Sequence, residues 1–174
     1  MPLPKGFVQV YTGDGKGKTT AVIGLAVRAI GAGLRVYLAQ FLKQGDYSEI
    51  RALSRFEDQI TMVQFGTGRF VRGKPSDTDR ALAAKGLAAA RQALTSGNYD
   101  VVILDEANVA AALGLISVEA ILDLVKRKPE AVELVVSGRG ADPKIIAVAD
   151  LVTEVKVIKH YYDNGVEART GIEK

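Results

Sequence analysis

A glycine-rich turn with two lysines lies near the start of the sequence, between an apolar run and a segment with helical spacing. The turn comprises Thr12, Gly13, Asp14, Gly15, Lys16, Gly17, Lys18, Thr19 and Thr20. Three glycines in five positions let the backbone turn sharply, so that its N–H groups and the N-terminal end of the next helix can face one anion. Lys18 offers a positive charge for outer phosphates, and Thr19 offers a hydroxyl that can reach Mg²⁺. Strand, glycine-rich turn and helix in this order predict a nucleotide-binding P-loop.

The first position of this loop departs from the usual pattern of Gly, four residues and then Gly-Lys-Thr. Counting back from Gly17 places Thr12 where the first glycine is expected. The alternative interpretation is a glycine-rich β-turn without a ligand. The Lys-Thr pair and the flanking strand and helix favour nucleotide binding.

Two carboxylates, Asp105 and Glu106, end a second apolar run that begins at residue 99. An apolar strand with an acidic end is typical of a Walker B strand, whose carboxylate meets Mg²⁺ beside the P-loop. The alternative is that Asp105 or Glu106 only caps the next helix. The upstream P-loop favours Mg²⁺ binding.

Composition limits the classes of protein that the sequence can represent. The chain has 174 residues, no cysteine, one histidine and a formal net charge of +3. Disulfides, thiolate metal sites and cysteine nucleophiles are therefore excluded, and a His-rich metal site is excluded as well. The absence of a long apolar run and of a signal peptide predicts a soluble, cytoplasmic protein. The mild positive charge fits anionic small ligands as well as nucleic acid.

Apolar segments of strand type alternate with segments of helical spacing along the whole chain. We expect strands at residues 7–11, 35–40, 60–65, 99–106, 131–136 and 151–158, and helices at residues 18–30, 48–55, 76–96, 117–128 and 143–149. Ser48 is the expected N-cap of the second helix. This order predicts a three-layer α/β fold of the P-loop NTPase (RecA-like) type, with a mostly parallel sheet of about six strands and helices on both faces.

The ends of the first, fourth and fifth strands carry the polar motifs. They are the P-loop, the Asp105-Glu106 pair and Ser137-Gly138-Arg139. Ligands of such sheets bind at the carboxyl ends of the strands, so we expect all three at one edge of the sheet. Residues 66–75 form the longest stretch without periodicity and read equally as a functional loop or as a mobile surface connection.

Several segments together resemble the P-loop type ATP:corrinoid adenosyltransferases, the cob(I)alamin or cob(I)yrinic acid a,c-diamide adenosyltransferase family. The resemblance covers nearly the whole chain after Lys5, and its most specific part is a C-terminal signature that generic P-loop enzymes lack. The matching segments are residues 10–20, 29–33 and 40–43, Leu104-Asp105-Glu106, Ser137-Gly138-Arg139 with serine for threonine, residues 149–155, Lys159-His160, Gly165-Val166 and Gly171-Ile172-Glu173.

The resemblance implies a reaction in which Co(I) of a reduced corrinoid attacks the 5′ carbon of ATP and triphosphate leaves. Because Co(I) is itself a strong nucleophile, the protein has to orient the substrates and stabilise the charge of the leaving group. The absence of an obvious base–nucleophile pair in the sequence suits that task.

The same resemblance implies roles for particular residues. Residues 12–20 bind the nucleotide, and within them Gly13 to Thr19 hold the triphosphate of ATP. Lys18 and Glu106 are the catalytic residues, and Thr19 and Glu106 are the Mg²⁺ ligands. Arg139 is a phosphate contact. Phe70 is the aromatic residue that helps to displace the lower ligand of the corrin, which eases reduction of Co(II). Some members have a nearby tryptophan that this chain lacks, and Val71 is the candidate for its place.

The resemblance also implies a single P-loop adenosyltransferase domain over residues 1–174, a homodimer and an electron donor such as a flavodoxin-like reductase, without nucleic acid or membrane partners. Two other hypotheses stay open at this point. The first is a small-molecule kinase or NTPase, which would release ADP and phosphate instead of triphosphate. The second is a RecA-type nucleic-acid ATPase, which would bind DNA in a salt-sensitive way.

Overall fold

A parallel β-sheet of six strands forms the centre of the computed structural model, which describes residues 3–69, 71 and 73–173. The strands lie in the order β3-β2-β4-β5-β1-β6, and every neighbouring pair is parallel. Their bounds are β1 Val8–Thr12, β2 Val36–Phe41, β3 Ile60–Phe65, β4 Val101–Asp105, β5 Glu133–Ser137 and β6 Leu151–Glu154.

Helices follow the strands along the chain. The α-helices are α1 Lys18–Gly31, α2 Ser48–Leu53, α3 Asp77–Thr95, α4 Ala107–Ala112, α5 Val118–Arg127 and α6 Pro143–Val148. Short 3₁₀ turns lie at Ser54–Phe56 and Tyr161–Asn164. Within the described residues, no helix combines the length and apolar character needed to cross a bilayer.

Two separate hydrophobic clusters cover the two faces of the sheet. Helices α3, α4, α5 and α6 pack on one face against residues such as Tyr37 and Phe41 of β2. Helices α1 and α2 pack on the other face against Val36 and Leu38 of the same strand. Alternate residues of a strand point to opposite faces, so this division follows from the period of two. The predicted three-layer α/β architecture is confirmed.

Ser76 fixes the start of the long helix α3. Its side chain accepts a hydrogen bond from the backbone N–H of Asp79, while its own N–H donates to the Asp79 carboxylate. This reciprocal capping box satisfies two donors that the helix end would otherwise leave unpaired. The Asp79 pKa lies below its ordinary value, chiefly because the Ser76 hydroxyl and backbone N–H donate to the carboxylate.

The structure differs from the sequence prediction in three details. The N-cap of α2 is Tyr47, and the helix already begins at Ser48. The short helix α4 was not predicted, because its run of alanines and one asparagine lacks a distinct amphipathic pattern. The last strand ends at Glu154 instead of residue 158, since the backbone of Val155 turns onto the P-loop.

Gly86 allows α3 to lie close against the sheet. A Cβ atom on this residue would lie 2.8 Å from Cγ of Phe65 and 3.0 Å from Cε1 of Phe41. We expect Gly86→Ala to lower the free energy of unfolding by about 1–3 kcal/mol, because the overlap with two buried rings outweighs the better helix propensity of alanine. Chemical denaturation measures the change.

The matched control is Gly24→Ala in the interior of α1, where an added Cβ would meet no atom within 4 Å. It should raise the free energy of unfolding by about 0.5–1 kcal/mol, since alanine restricts the unfolded chain more than glycine does. Equal stabilisation by both substitutions would contradict the packing assigned to Gly86.

Candidate nucleotide and cation site

The P-loop connects β1 to α1 at the carboxyl edge of the sheet. Gly13 has φ +94° and Gly17, at the N-cap position of α1, has φ +124°. Both values lie in the region that favours glycine, so the glycines of the motif perform the expected turn. The prediction that the ends of β1, β4 and β5 share one edge is confirmed, because these strands are neighbours in the order β4-β5-β1.

The structure explains why threonine occupies position 12, where the usual P-loop pattern has glycine. It is the last residue of β1 and is buried, and its hydroxyl accepts a hydrogen bond of 3.2 Å from the N–H of Ala141. The sharp turn begins one residue later, at Gly13. Thr12 therefore ties the P-loop to the loop after β5.

One amide of the P-loop is directed away from a shared anion position. The N–H of Gly15 donates to the carbonyl of Val155 at 2.8 Å, and the N–H of Val155 donates to the carbonyl of Thr12 at 2.8 Å. A Cβ on Gly13 or Gly15 would lie 2.5 Å or 2.8 Å from that Val155 oxygen. The expectation that the loop amides converge on one anion is thus wrong for Gly15, whose amide clamps the loop to the segment after β6.

Lys18 is buried at the first position of α1. Its ammonium donates to the carbonyl of Gly15 at 2.7 Å, inside the loop. Burial is the largest cause that lowers the pKa of Lys18, and the nearby Arg139 guanidinium lowers it further, while Glu106 and Asp14 act in the opposite direction. Lys18, Arg139 and Glu106 are therefore close enough to interact electrostatically.

Asp105 is a fully buried carboxylate at the end of β4. Its Oδ1 accepts hydrogen bonds from the hydroxyls of Ser137 at 2.6 Å and Thr19 at 3.0 Å. Its Oδ2 accepts from the Lys43 ammonium at 2.9 Å, from Thr19 at 3.2 Å and from the Gln40 amide at 3.3 Å. A charge in the core is tolerated only with such partners, so these contacts hold Asp105 in one position.

Asp105 belongs to a row of polar side chains that crosses four strands at their carboxyl ends. Gln64 donates to Gln40 at 3.1 Å, Gln40 donates to Asp105, and Ser137 donates to Asp105 from the other side. The strand register explains the row, because Gln40 is the partner of both Gln64 and Asp105. All four side chains lie on the face of the sheet that packs against α1, and Thr19 lies in the first turn of that helix.

Glu106 occupies the N-cap position of α4 with left-handed backbone, φ 62°. Its N–H donates to the Ser137 hydroxyl at 3.2 Å, and its side chain makes no capping hydrogen bond within the described part of the chain. Desolvation is the largest cause that raises the pKa of Glu106 above its ordinary value, the Asp105 carboxylate adds to it, and Lys43, Lys18 and Arg139 oppose it. The capping interpretation is thus not supported for the Glu106 side chain.

Not every residue predicted for the site has such contacts. Arg139 and Thr20 are exposed, and Asp14 is exposed beside Lys18. Lys16 reaches the C-terminal tail, where its ammonium donates to the carbonyl of Ile172 at 3.1 Å. Phe70 lies outside the described residues.

Sequence reasoning missed three residues of this site. Gln40, Lys43 and Ser137 all donate to Asp105 but were not predicted as site residues. A signal for Gln40 existed, since it is a polar residue in an otherwise apolar strand segment. Lys43 lies in the segment 40–43 that resembles the family, but a lysine in a polar loop is expected to be exposed, and Ser137 was expected at this edge only as part of the motif after β5.

The oxygen donors at the end of β4 and the start of α1, called the cation corner below, form a set that fits a hard divalent cation. It offers the Thr19 hydroxyl and the Asp105 and Glu106 carboxylates, which are the oxygen ligands that Mg²⁺ prefers. Among residues 3–69, 71 and 73–173, no group of three or more His, Cys, Asp or Glu side chains could hold a metal ion. Thr19, Asp105 and Glu106 are thus candidates for a site that phosphate oxygens complete.

The fold and this corner define a P-loop protein of the RecA-like class. A KaiC-like protein from Pyrococcus horikoshii superposes with a TM-score of 0.62 over 91% of this chain and 76% of that chain, at 17% sequence identity. At this identity the likeness concerns the fold alone, and it agrees with the predicted fold class.

Sequence comparison then gives the family. Residues 4–173 match the family of ATP:corrinoid adenosyltransferases BtuR/CobO/CobP. A corrinoid adenosyltransferase of Pseudomonas aeruginosa is 32% identical over 170 residues, which cover 97% of this chain and 84% of that protein. The chain therefore belongs to the ATP:corrinoid adenosyltransferase family, as predicted, and the family description names ATP and a corrinoid. The kinase alternative is not favoured.

One relative is much longer than this chain. An uncharacterized protein of Nostoc sp. is 39% identical over 188 residues, which cover 97% of this chain and 50% of that protein. The chain thus spans about half the length of that relative.

The raised pKa of Glu106 gives a prediction about stability. A folded-state pKa above the unfolded value means that the folded protein binds more protons between the two, so stability falls as pH rises through that window. We expect Glu106→Gln to raise the melting temperature of the ligand-free protein at about pH 7.5, and this advantage should shrink as the pH falls towards the ordinary glutamate pKa of 4.5.

Thermal unfolding between about pH 4.5 and 7.5 tests this prediction. Glu57→Gln, which removes a carboxylate from the exposed surface, controls for the loss of one negative charge. A Glu106→Gln protein that is less stable than wild type at the upper pH would show that the ionised carboxylate stabilises the fold.

Proposed function

We propose that this chain transfers the 5′-deoxyadenosyl group of ATP to the Co(I) of a reduced corrinoid, in adenosylcobalamin biosynthesis or salvage. The observation that carries the proposal is the pair of ammonium groups held beside the end of β4, Lys18 on the Gly15 carbonyl inside the P-loop and Lys43 on the Asp105 carboxylate, with Arg139 near enough to lower the pKa of Glu106 as they do. Such a corner suits the stabilisation of a polyphosphate leaving group, and family membership supplies the acceptor.

The proposed step is a nucleophilic displacement at carbon. The electron pair of Co(I) forms the Co–C5′ bond, the C5′–O bond of ATP breaks, and its electron pair stays on the departing triphosphate. Cobalt is formally oxidised from Co(I) to Co(III), and the adenosyl carbon accepts the electrons. Because the substrate cobalt is the nucleophile, the protein residues bind, orient and neutralise charge.

Lys18 is the first residue that the proposal assigns to the leaving group. Its ammonium is buried inside the P-loop and donates to the Gly15 carbonyl. A triphosphate oxygen offers it a stronger, charge-assisted partner. The Lys18 charge then stabilises the triphosphate more as the C5′–O bond breaks, which is the condition for lowering the barrier.

Mg²⁺ is the metal cofactor that the proposal includes, with Thr19 and Glu106 as predicted ligands and Asp105 as a further candidate. When bound, it would neutralise phosphate charge and orient the triphosphate. Mg²⁺ in nucleotide sites usually takes one or two carboxylates together with phosphate oxygens. The corner at the end of β4 offers this type of carboxylate set.

The corrinoid is assigned to the side of the molecule where the loop after β3 lies. Residues such as Thr67, Arg69, Val71 and Lys74 line an open depression of about 550 Å³ there. The proposal retains Phe70 of this loop as the residue that covers the lower face of the corrin. A homodimer, a flavodoxin-like electron donor and a cytoplasmic location belong to the same proposal.

A product assay tests the proposed function. The protein is incubated with ATP, Mg²⁺ and a chemically reduced corrinoid, and the visible spectrum is followed for a light-sensitive adenosylcorrinoid while the phosphates are separated. Stoichiometric triphosphate and adenosylcorrinoid support the proposal. ADP and phosphate without a Co–C bond would point instead to a kinase or NTPase.

In this assay, Lys18→Ala should reduce turnover by roughly 100-fold or more and should weaken ATP binding, because the buried ammonium neutralises the triphosphate. Lys144→Ala is the matched control, since it removes the same charge from an exposed ion pair with Glu119. Near wild-type turnover of Lys18→Ala would overturn the assignment of the P-loop.

Phe70→Ala should slow the reaction that begins from Co(II) far more than the reaction that begins from Co(I). An aromatic ring over the lower corrin face matters only while an axial ligand must be displaced before reduction. Both starting states are assayed with the same variant. An equal loss in both would mean that Phe70 only shapes the pocket, and no loss in either would mean that the loop is a surface connection.

A further inference from the structure

Lys43 occupies a place in the nucleotide-free protein that a role towards the leaving group alone does not explain. Its ammonium lies 2.9 Å from Oδ2 of Asp105 and 3.3 Å from the Thr19 hydroxyl oxygen, between two of the oxygens that could hold a divalent cation. Only 18% of its side chain is exposed, and the Tyr47 ring lies beside the ammonium at 5.7 Å.

The backbone holds Lys43 in this place. The preceding residue, Leu42, has left-handed backbone with φ 63°, and its N–H donates to the carbonyl of Phe65 at 3.1 Å. Gly66 packs so closely that a Cβ there would lie 2.3 Å from the carbonyl carbon of Leu42 and 2.5 Å from the nitrogen of Lys43. A leucine in this conformation costs about 1–3 kcal/mol, so the surrounding structure enforces the turn that directs Lys43 inward.

The donors around Asp105 saturate its carboxylate. Each carboxylate oxygen accepts about two hydrogen bonds, and the donors already present fill this capacity on both oxygens. Ser137 and Gln40 are buried on the two strands beside Asp105, and Thr19 is fixed at the start of α1. Lys43 is the donor on a flexible side chain, so it can leave at the smallest structural cost.

We propose that Lys43 is the resident counter-ion of the cation corner. In the nucleotide-free protein its ammonium neutralises Asp105 and contacts Thr19, and a divalent cation enters this corner only by displacing it. The inference rests on the proposed function, which assigns Mg²⁺ to this corner.

This arrangement makes cation binding depend on nucleotide. Without a triphosphate, an entering cation competes with the Lys43 charge and separates the displaced ammonium from Asp105. With a triphosphate bound, the phosphates attract both the cation and the ammonium. Lys43 thus favours entry of Mg²⁺ together with ATP over entry of Mg²⁺ alone.

The test is a titration of the whole protein with Mn²⁺ as the probe for the divalent cation, with free Mn²⁺ measured by electron paramagnetic resonance. Lys43→Gln removes the charge and keeps a donor for Asp105, and Lys43→Met removes both. Without nucleotide, both variants should bind Mn²⁺ at least about tenfold more tightly than wild type, because an adjacent positive charge is gone.

Three further measurements assign the effect. Lys144→Gln, which removes a charge from the exposed pair with Glu119, should bind Mn²⁺ as wild type does. The double variant Lys43→Gln with Asp105→Asn should lose the increase in Mn²⁺ affinity, since the carboxylate that receives the cation is gone. A non-hydrolysable ATP analogue should increase Mn²⁺ affinity by a larger factor in wild type than in Lys43→Gln. Circular dichroism establishes that each variant is folded.

An unchanged or weaker Mn²⁺ affinity of folded Lys43→Gln and Lys43→Met would overturn the inference, because the cation would then bind without displacing the ammonium. An increased Mn²⁺ affinity that persists in the double variant would overturn it as well.

Neither result depends on a corrinoid. If wild type forms adenosylcorrinoid while the variants show no gain, only the inference fails. If the variants gain affinity while wild type forms none, only the proposed function fails.

Discussion

The buried carboxylate of Asp105 is the constraint on which the organisation of this site depends. A charge with no exposed surface must be compensated by donors, and here they come from α1, β2, β5 and the loop after β2. The same contacts fix the start of the P-loop helix relative to the sheet. Removal of one charged partner from a buried ion pair costs about 3–5 kcal/mol. The contacts of Asp105 therefore link the cation corner to the stability of the sheet.

Backbone strain is concentrated at the same corner. Among the described residues, Leu42 and Glu106 are the two non-glycine residues with positive φ, and each is adjacent in sequence to a member of the Lys43–Asp105 pair. Such conformations persist only where the surrounding structure enforces them. Close packing of Gly66 on Leu42 and the hydrogen bond from the Glu106 N–H to Ser137 supply that enforcement. The strained backbone at Leu42 and Glu106 thus adjoins the two residues whose charged side chains meet, Lys43 and Asp105.

Local sequence patterns predicted the layers of the fold and the strand ends that meet, because both depend on periodicity and on glycine or carboxylate positions. Two partners of Asp105, Gln40 and Lys43, were not assigned to the site in this way. Gln40 reaches it through strand register, and Lys43 reaches it through a left-handed leucine, neither of which a pattern of residue types encodes. The early end of β6 has a similar cause, since Val155 bonds to residues more than 100 positions away.

The clamp between Gly15 and Val155 explains why side-chain charge carries so much of this site. An amide that donates to a protein carbonyl is not available to a phosphate, so the loop has one fewer backbone donor for an anion. Lys18, Lys43 and Arg139 provide charge in the same region, and charged donors form stronger bonds to phosphate than neutral amides do. A triphosphate that leaves as a whole carries more charge than a transferred phosphoryl group. Cations near its binding loop therefore match the leaving group of the proposed reaction better than a loop of amides alone would.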